Sequence, residues 1–394
     1  MKTLLFTLEY PPFYGGIANY YGNLIKFWPK PDSIFILHNN QGKLINNKLP
    51  CLKWLPALTS LYQTIKAEKI NHIIVGHILP LGTAAWLIKL IIGTPYSVIL
   101  HGMDFAYCQR SWRKNRLALK ILNKADHIIC ANNYLAEQVK NFINPITCRK
   151  VLHPTASTTY YYGNPAAETV EHSSNRVNKT SADKIIVVNP GITLARSANN
   201  NLINKLKSAY SLKNKIILFS LGRLVLRKGF DQVIELMPEL QKDYPDLYYF
   251  IAGAGPDETL LKELAHKNEH IIFLDQISDE EKQAWLNLCD IFIMPSRNIA
   301  GDYEGFGIVY LEANLCAKPV IAGNSGGVTD AVTDGLNGLL VDPLNRNQIA
   351  QTIIKLIQNP ALRQKLGQQG KERVLREFSW QKQIRLLYEF ITNK

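Results

Sequence analysis

Short apolar runs alternate with longer segments of helical periodicity along the first half of the chain. The apolar runs are rich in β-branched residues, and the segments between them are long enough for helices. This alternation predicts βαβ units, in which a parallel sheet carries helices on both faces. The predicted strands are Thr3–Leu8, Ser33–His38, His72–Val75, Tyr96–Leu100, His127–Ala131 and Lys184–Val188. The predicted helices are Ile17–Trp28, Gly82–Ile92, Gln109–Lys124 and Asn133–Ile143.

The same pattern begins again in the second half. Its predicted strands are Lys215–Leu221, Leu247–Ala252, His270–Leu274, Ile291–Met294 and Pro319–Ala322, and its predicted helices lie near Phe230–Leu240, Asp257–His266, Asp279–Leu288 and Val309–Ala317. A chain of 394 residues has room for two or three domains. We therefore expect two α/β domains, at residues 1–195 and 196–376, followed by a C-terminal helix at 377–394. Residues 154–182 have no clear period and predict a flexible insertion in the first domain.

The net positive charge of the chain lies entirely in its first half. Residues 1–200 contain 22 Lys and Arg against 9 Asp and Glu, whereas residues 201–394 contain 23 of each. The net charge of +13 therefore predicts an anionic partner for the first domain only: a membrane surface, a nucleic acid or an acidic substrate. The overall balance of 46% hydrophobic and 20% charged residues excludes a disordered chain, a coiled coil and a disulfide scaffold.

One basic segment, residues 110–124, contains no acidic residue. On a helix its cations would form a basic face beside an aromatic ring, which is typical of a helix lying on anionic lipid. A solvated basic face is the alternative, and nucleic-acid binding is disfavoured because no recognition motif accompanies the charge. The predicted membrane contacts are Arg110, Trp112, Arg113, Lys114, Arg116 and Lys120.

The cysteines and the longest apolar stretch indicate a cytosolic chain. The six cysteines form no CxxC pair, which favours buried, reduced thiols. We expect no secretory signal, because the first apolar run ends at Glu9. The apolar stretch Leu79–Leu100 is interrupted by Lys89 and by residues 93–95, so it predicts a buried helix and then a strand, not a membrane span.

Two candidate sites follow strands of the first domain, where open parallel sheets bind ligands. Gly15 and Gly16 precede a predicted helix, so their amides can approach a phosphate; a plain tight turn is the alternative. His101 ends the strand Tyr96–Leu100 and would line a cleft between the domains; a structural histidine is the alternative. Asp104 is expected to cap the next helix.

The second domain carries two further segments. Arg223 and Lys228 lie at a strand end and a helix start, where they can converge on a diphosphate, whereas Arg227 is assigned to solvated surface charge. Glu304 and Glu312 have seven residues between them and bracket a glycine-rich loop and a helix start. Glu304 would lie near a sugar, and Glu312 can accept hydrogen bonds from ribose hydroxyls. The amides of Gly305, Phe306, Gly307, Ile308 and Val309 can hold a phosphate.

Together these segments resemble the retaining glycosyltransferases of family 4, which have the GT-B architecture of two facing Rossmann-like domains with a deep cleft. The resemblance covers nearly the whole chain and includes Gly253–Pro256 and Gly326–Gly327. The segment Arg297–Gly327 is most similar to the GDP-mannose-dependent phosphatidylinositol mannoside mannosyltransferases. The insertion at 154–182 departs from the family pattern and leaves the acceptor open.

The resemblance implies a role for each candidate residue. The second domain would bind the base of a nucleotide-sugar near Gly253 and Ile277, and its ribose on Glu312. The residues implied at the diphosphate are Arg223, Lys228, Gly15, Gly16, Gly305, Phe306, Gly307, Ile308 and Val309. Glu304 and His101 would contact the donor sugar from opposite walls. The last helix, near Trp380–Ile391, would cross back onto the first domain.

The implied reaction is retaining transfer of a hexose, with mannose from GDP-mannose favoured over UDP-sugars, to a lipid-linked or glycan acceptor of the cell envelope. Same-face attack is expected, because no candidate nucleophile is present, and the lack of a DxD motif predicts no metal and no cofactor. The alternatives are a UDP-sugar-dependent enzyme with a soluble or polysaccharide acceptor, a glycogen-type synthase or phosphorylase, and a non-catalytic nucleotide-sugar-binding protein. We expect the protein in the cytoplasm, peripheral on the inner face of the cytoplasmic membrane, with no nucleic-acid partner.

Overall fold

The computed structural model describes residues 1–13, 15–46, 48, 52–144, 184–193 and 199–393. These residues form two α/β domains, each built on a six-stranded sheet in which all strand pairs are parallel. The predicted insertion at 154–182 lies outside the described residues. The prediction of two successive parallel α/β units is confirmed.

The first domain alternates strands and helices from its first residues. Its strands are β1 (Thr3–Thr7), β2 (Ile34–His38), β3 (His72–Val75), β4 (Tyr96–Leu100), β5 (His127–Cys130) and β6 (Ile185–Val187), and they lie in the order β2-β1-β3-β4-β5-β6. Its helices are α1 (Gly16–Lys26), α2 (Leu55–Glu68), α3 (Leu81–Ile92), α4 (Met103–Gln109), α5 (Trp112–Lys124) and α6 (Asn133–Ile143). Strands β1, β3 and β4 are buried along their whole length, because helices cover both faces of the sheet.

The second domain repeats the arrangement. Its strands are β7 (Ile216–Leu221), β8 (Leu247–Ala252), β9 (Ile271–Phe273), β10 (Ile291–Met294), β11 (Val320–Gly323) and β12 (Gly338–Val341), in the order β12-β11-β10-β7-β8-β9. Its helices are α7 (Asn200–Ala209), α8 (Phe230–Asp243), α9 (Glu258–Leu264), α10 (Asp279–Leu288), α11 (Ile308–Leu315), α12 (Val328–Ala331), α13 (Arg346–Gln358) and α14 (Pro360–Glu377).

The last helix, α15 (Trp380–Thr392), packs on the first domain. Its buried residues Trp380, Ile384 and Leu387 join an apolar cluster on one face of the first sheet, together with residues of α1 and Val188. The chain therefore passes between the domains twice. The two passages touch, since the amide of Ile192 donates to the carbonyl oxygen of Phe378 at 2.7 Å.

The structure corrects one helix and adds others. The predicted helix Gln109–Lys124 begins three residues later than expected, at Trp112, because the backbone is extended at Ser111 (φ −149°, ψ 134°). Helix α4, which ends at Gln109, was not predicted. The sequence pattern also did not identify α2, α7 or β12. The apolar stretch Leu79–Leu100 forms α3 and β4, as predicted. Within the described ranges, no helix combines the length and the apolar character that crossing a membrane requires.

Candidate active site

The carboxyl ends of the two sheets face each other across a cleft. The loop after β5 meets the loop after β10, where the side chain of Asn132 donates to the carbonyl oxygen of Gly305 at 2.5 Å. Beside it, Tyr303 lies against Gly102 and stacks edge-on with Tyr134, with ring centroids 4.8 Å apart. The residues that follow strands in both domains therefore share one site.

His101 lies at the end of β4 on the first-domain wall of the cleft. The Tyr21 hydroxyl donates its hydrogen to the carbonyl oxygen of Gly76 at 2.8 Å, so the 3.1 Å contact between Tyr21 and His101 Nε2 is a donation from the ring. Burial, reinforced by His77, lowers the pKa of His101 to about 3. His101 is thus neutral at physiological pH, and its Nδ1 atom is a hydrogen-bond acceptor.

Four buried polar atoms near His101 have no hydrogen-bond partner among the described residues. They are Asp104 Oδ2, His77 Nδ1 and the hydroxyls of Tyr20 and Tyr303. The other Asp104 oxygen accepts from the amides of His101 (3.1 Å) and Gly102 (3.0 Å), so Asp104 fixes the turn that positions His101. The expectation that Asp104 caps α4 is wrong, because Gly102 is the N-cap and Asp104 lies in the first turn of the helix. Burial raises the pKa of Asp104 above its usual value. These polar atoms beside His101 are therefore able to form further hydrogen bonds.

The Gly15–Gly16 loop connects β1 to α1. Gly16 is the first residue of α1, and the carbonyl oxygen of Gly15 accepts the first helical bond, from the Asn19 amide at 3.0 Å. The added Cβ of an alanine at position 16 would meet nothing within 4 Å. The loop is thus open at the helix N-terminus, where the amides are free to face an anion.

On the second-domain wall, one buried carboxylate holds two cations. Glu304 is 9% exposed, and its Oε2 atom is ion-paired with Lys228 Nζ and lies 3.0 Å from Arg227 Nη1. Arg227 also contacts Asp302, with Nε 3.1 Å from Oδ1. The assignment of Arg227 to solvated surface charge is therefore wrong, because the loop carrying Asp302 and Glu304 folds over it.

The Glu304 cluster is charged in this structure. Burial by itself raises the pKa of Glu304, but the adjacent Lys228 and Arg227 outweigh it, and the pKa lies below the usual value. Glu304 is therefore ionised at neutral pH. Lys228 is equally enclosed, since it is 9% exposed.

Arg223 and Gly253 lie at the adjacent ends of β7 and β8. Arg223 is exposed and has no ion-pair partner among the described residues, which leaves its guanidinium free to bind a ligand. Gly253 has φ +138°, and a Cβ there would collide with the carbonyl oxygen of Gly222. This glycine allows the two strand ends to approach closely beneath the implied base and diphosphate.

Helix α11 brings the remaining predicted donor residues to the cleft. Gly307 caps it with φ +78°, and the first-turn amides of Ile308 and Val309 have no partner within the helix. The Phe306 ring instead packs into the core, 5.8 Å from the Phe378 ring, so only its backbone can face a ligand.

Glu312 lies in the second turn of α11 and is ion-paired. Its Oε1 atom is 2.9 Å from Lys282 Nζ, a residue of α10 that the sequence did not single out. Burial lowers the pKa of Lys282, but the carboxylates of Glu312 and Asp279 outweigh this effect, so the pKa lies above its usual value. Ile277 lies just before α10 and packs, partly buried, against the apolar core of the second domain.

A polar network joins the domains beside the site. Asp330 Oδ2 accepts from the Asn133 amide (2.9 Å), the Asn133 side chain (3.1 Å) and the Asn189 side chain (2.9 Å). Asp330 is 8% exposed. Because a buried carboxylate needs such donors, this network fixes one arrangement of the two walls.

The predicted membrane residues lie on and beside α5. Arg110 falls in the connection before the helix, whereas Trp112, Arg113, Lys114, Arg116 and Lys120 belong to it. The Arg116 guanidinium lies 4.2 Å from the Trp112 ring, and Trp112 is 66% exposed. In the part of the chain that the structure describes, none of these cations is ion-paired, so their charge is available to a partner.

The comparisons with known proteins agree with this geometry. The family model described as "Glycosyl transferases group 1" matches residues 203–373. Over 411 aligned residues, the chain is 27% identical to a GDP-mannose-dependent monoacylated alpha-(1-6)-phosphatidylinositol monomannoside mannosyltransferase from Corynebacterium glutamicum, with 100% of this chain and 97% of that protein covered. Residues 203–373 therefore match a glycosyl transferases group 1 domain, and the chain is a glycosyltransferase.

Other known proteins match half or all of the glycosyltransferase. It is 34% identical over 211 residues to a GDP-mannose-dependent alpha-(1-6)-phosphatidylinositol monomannoside mannosyltransferase from Mycolicibacterium smegmatis, covering 52% of this chain and 55% of that one. Among solved structures, it is similar to HepE from Anabaena in complex with UDP (TM-score 0.73, 17% identity, 100% of both chains). These likenesses confirm the predicted family resemblance and the GT-B fold.

Several residues of the glycosyltransferase site were not identified from the sequence. Arg227 and Asp302 form one missed ion pair, and Lys282 is the missed partner of Glu312. Tyr21, which fixes the His101 tautomer, is 80 residues distant from it in sequence. Only for Arg227 did the sequence contain a usable signal: the adjacent cations Arg227 and Lys228 match two acids, Asp302 and Glu304, that are two positions apart.

Proposed function

We propose that this glycosyltransferase transfers mannose from GDP-mannose to a lipid acceptor of the phosphatidylinositol mannoside class, with retention of configuration and without a metal ion or cofactor. The observation that carries the proposal is the match to the C. glutamicum mannosyltransferase, which spans both domains of this chain. A match confined to the second domain would support only the type of donor. The match to the C. glutamicum protein also includes the first domain, which would face the acceptor.

The donor would bind mainly to the second domain. When the glycosidic bond breaks, negative charge grows on the departing diphosphate, so Lys228, Arg223 and the first-turn amides of α11 stabilise the transition state more than the ground state. The Gly15–Gly16 loop supplies further amides from the first domain. Lys228 is ion-paired with Glu304 in this structure, so donor binding would redirect Lys228 towards phosphate.

The sugar would lie between Glu304 and His101. Glu304 is ionised and accepts hydrogen bonds from sugar hydroxyls, and the neutral His101 accepts another at Nδ1. The acceptor hydroxyl attacks the anomeric carbon on the face that the diphosphate leaves. The bond from the anomeric carbon to the phosphate oxygen breaks, the bond to the acceptor oxygen forms, and the proton passes to the departing phosphate.

The acceptor would reach the site from an anionic bilayer. The unpaired cations of α5 and the exposed Trp112 supply charge and an aromatic anchor. Because the cytoplasmic leaflet is negatively charged, we place the enzyme peripherally on the inner face of the cytoplasmic membrane. This placement accounts for a net charge that is confined to the first domain.

Donor choice is tested by thermal unfolding of the purified protein with GDP-mannose, UDP-glucose or UDP-N-acetylglucosamine. A donor at 100 times its Kd stabilises the folded state by about 2.7 kcal/mol, so GDP-mannose should raise the melting temperature clearly. Stabilisation by a UDP-sugar but not by GDP-mannose would refute the proposed donor and favour a UDP-sugar enzyme.

Transfer is tested with vesicles that contain a phosphatidylinositol monomannoside. The wild type should form an α-linked mannolipid, identified by NMR, in buffer containing EDTA, and Glu304→Gln serves as the inactive control. An inverted product, a requirement for added divalent metal, or donor binding with neither transfer nor hydrolysis would each contradict a part of the proposal.

A further inference from the structure

A second cavity, separate from the cleft, lies on the first domain. Its volume is about 520 Å³, which is within the range of small-molecule sites. It is lined by residues from the start of α2, the start of α3 and the α4–α5 region: Lys53, Trp54, Leu79, Pro80, Thr83, Tyr107, Arg113, Lys114 and Leu117. The lining includes neither His101 nor any of the donor-site residues.

Three cations line this cavity, and none of the described lining residues is acidic. Lys53, Arg113 and Lys114 form no ion pair with any residue that the structure describes. Lys114 Nζ lies 3.6 Å from the Tyr107 ring. The adjacent Lys114 ammonium, assisted by the charge of Lys53, holds the pKa of Tyr107 below its usual value. Like charges brought together in this way repel one another unless an anion joins them.

The remaining walls of the cavity are largely apolar. Leu79, Pro80 and Leu117 supply apolar surface, and Trp54 also lines the cavity. Large apolar side chains are exposed near the lining residues in sequence, among them Met103 at 59% and Trp112 at 66%. An apolar pocket with a cationic rim and exposed apolar neighbours fits a molecule that joins a phosphate to hydrocarbon.

We propose that this cavity binds the phosphate-bearing headgroup of one anionic glycerophospholipid of the bilayer. The Arg113 guanidinium and the two ammonium groups would surround the phosphate, with the glycerol and the first acyl carbons against Leu79 and Leu117. The cavity lies after the carboxyl ends of β3 and β4, on the same sheet edge as His101. A lipid held there would turn the cleft towards the membrane, a role that rests on the proposed lipid acceptor.

The test uses a soluble lipid, so that surface potential does not contribute. Dihexanoyl-phosphatidylglycerol below its micelle concentration is titrated into the full chain by calorimetry, with inorganic phosphate in a parallel titration. The pocket variant is Lys53→Met/Lys114→Met. The control variant, Arg116→Gln/Lys120→Gln, removes the same charge from α5 outside the cavity. Unchanged thermal melting is required of both variants.

We expect one saturable site for the short lipid in the wild type and the control variant, and affinity at least about tenfold lower in the pocket variant. Inorganic phosphate should bind far more weakly than the lipid. Equal losses in the two variants would show a diffuse charge effect, and equal affinity for phosphate would show a plain anion site; either result overturns the proposal. GDP-mannose binding by the wild type, measured separately, reports on the proposed reaction alone.

Discussion

Removing the Arg227 guanidinium should impair turnover more than donor binding. In this structure Glu304 is held by both Lys228 and Arg227, so in Arg227→Met the carboxylate keeps one cation. Once a diphosphate draws Lys228 away, however, Arg227 is the cation that remains on Glu304. The loss therefore falls on the donor-bound and transition states.

The size of the effect follows from the contacts. A hydrogen bond to a charged group contributes about 1.5–3 kcal/mol, and the 3.0 Å contact from Arg227 to the buried Glu304 is of this kind. The Asp302 contact adds little, since that carboxylate is 52% exposed. A loss of about 2 kcal/mol corresponds to a roughly thirtyfold lower kcat.

The pH dependence gives a second readout. The pKa of Glu304 is depressed in the folded protein, so its ionised form is retained until the pH falls through that low value. Removing one of the two cations raises this pKa, so the acidic limb of the kcat profile should move to higher pH. The stability that Glu304 contributes above its unfolded pKa should likewise be lost earlier on acidification.

The assay is steady-state mannose transfer from GDP-mannose across the acidic range, with thermal melting as a folding check. Arg227→Lys keeps the charge and should recover much of kcat, and Arg385→Met removes an exposed arginine from α15 as a matched control. Wild-type kcat and an unmoved acidic limb in Arg227→Met would refute the reasoning. Equal impairment in Arg227→Lys and Arg227→Met would also refute it.

Three further changes test other parts of the site. Glu304→Gln keeps the shape of the side chain but removes the charge, so kcat should fall by about 10²–10³ while the fold persists; near-normal transfer would remove Glu304 from the reaction centre. Gly253→Ala places a Cβ against the Gly222 carbonyl at a positive φ, so urea denaturation should show a loss of about 3 kcal/mol or more, and an unchanged midpoint would contradict the close approach. Asp330→Ala leaves three interdomain donors without an acceptor and should lower the unfolding free energy by about 2–4 kcal/mol in calorimetry, with Asp330→Asn as the milder control.

The alternation of strands and helices was predictable because it depends on local periodicity and on strands that are buried on both faces. Strands such as β3, β4 and β8 were predicted with their observed bounds. The break at Ser111 was not, because the residues around it are compatible with a helix and only packing separates α4 from α5. Helix α2 was not identified although Leu58, Leu61 and Ile65 recur at helical spacing; it packs against α3.

Site residues were predictable where chemistry and strand ends coincide in the sequence. His101 directly follows β4, Arg223 comes shortly after β7, and Lys228 lies shortly before α8, so topology brings these three to the cleft. Glu304 lies instead in the long loop between β10 and α11. The role of Arg227 depends instead on the path of the loop after β10, which folds back over the segment after β7. No periodicity encodes such a long-range contact.

Opposite charges are paired around the proposed donor site of the second domain. Lys228 is buried and ion-paired with Glu304, and the half-buried Lys282 is ion-paired with Glu312. A buried ion without a partner costs several kcal/mol, so the Glu304–Lys228 pair stabilises the folded site. In the proposed donor complex, phosphate would replace Glu304 on Lys228 while Glu304 keeps its contact with Arg227, so neither charge is left unpaired. The cations of α5, in contrast, have no ion-pair partner among the residues that the structure describes, as the proposed contact with anionic lipid requires.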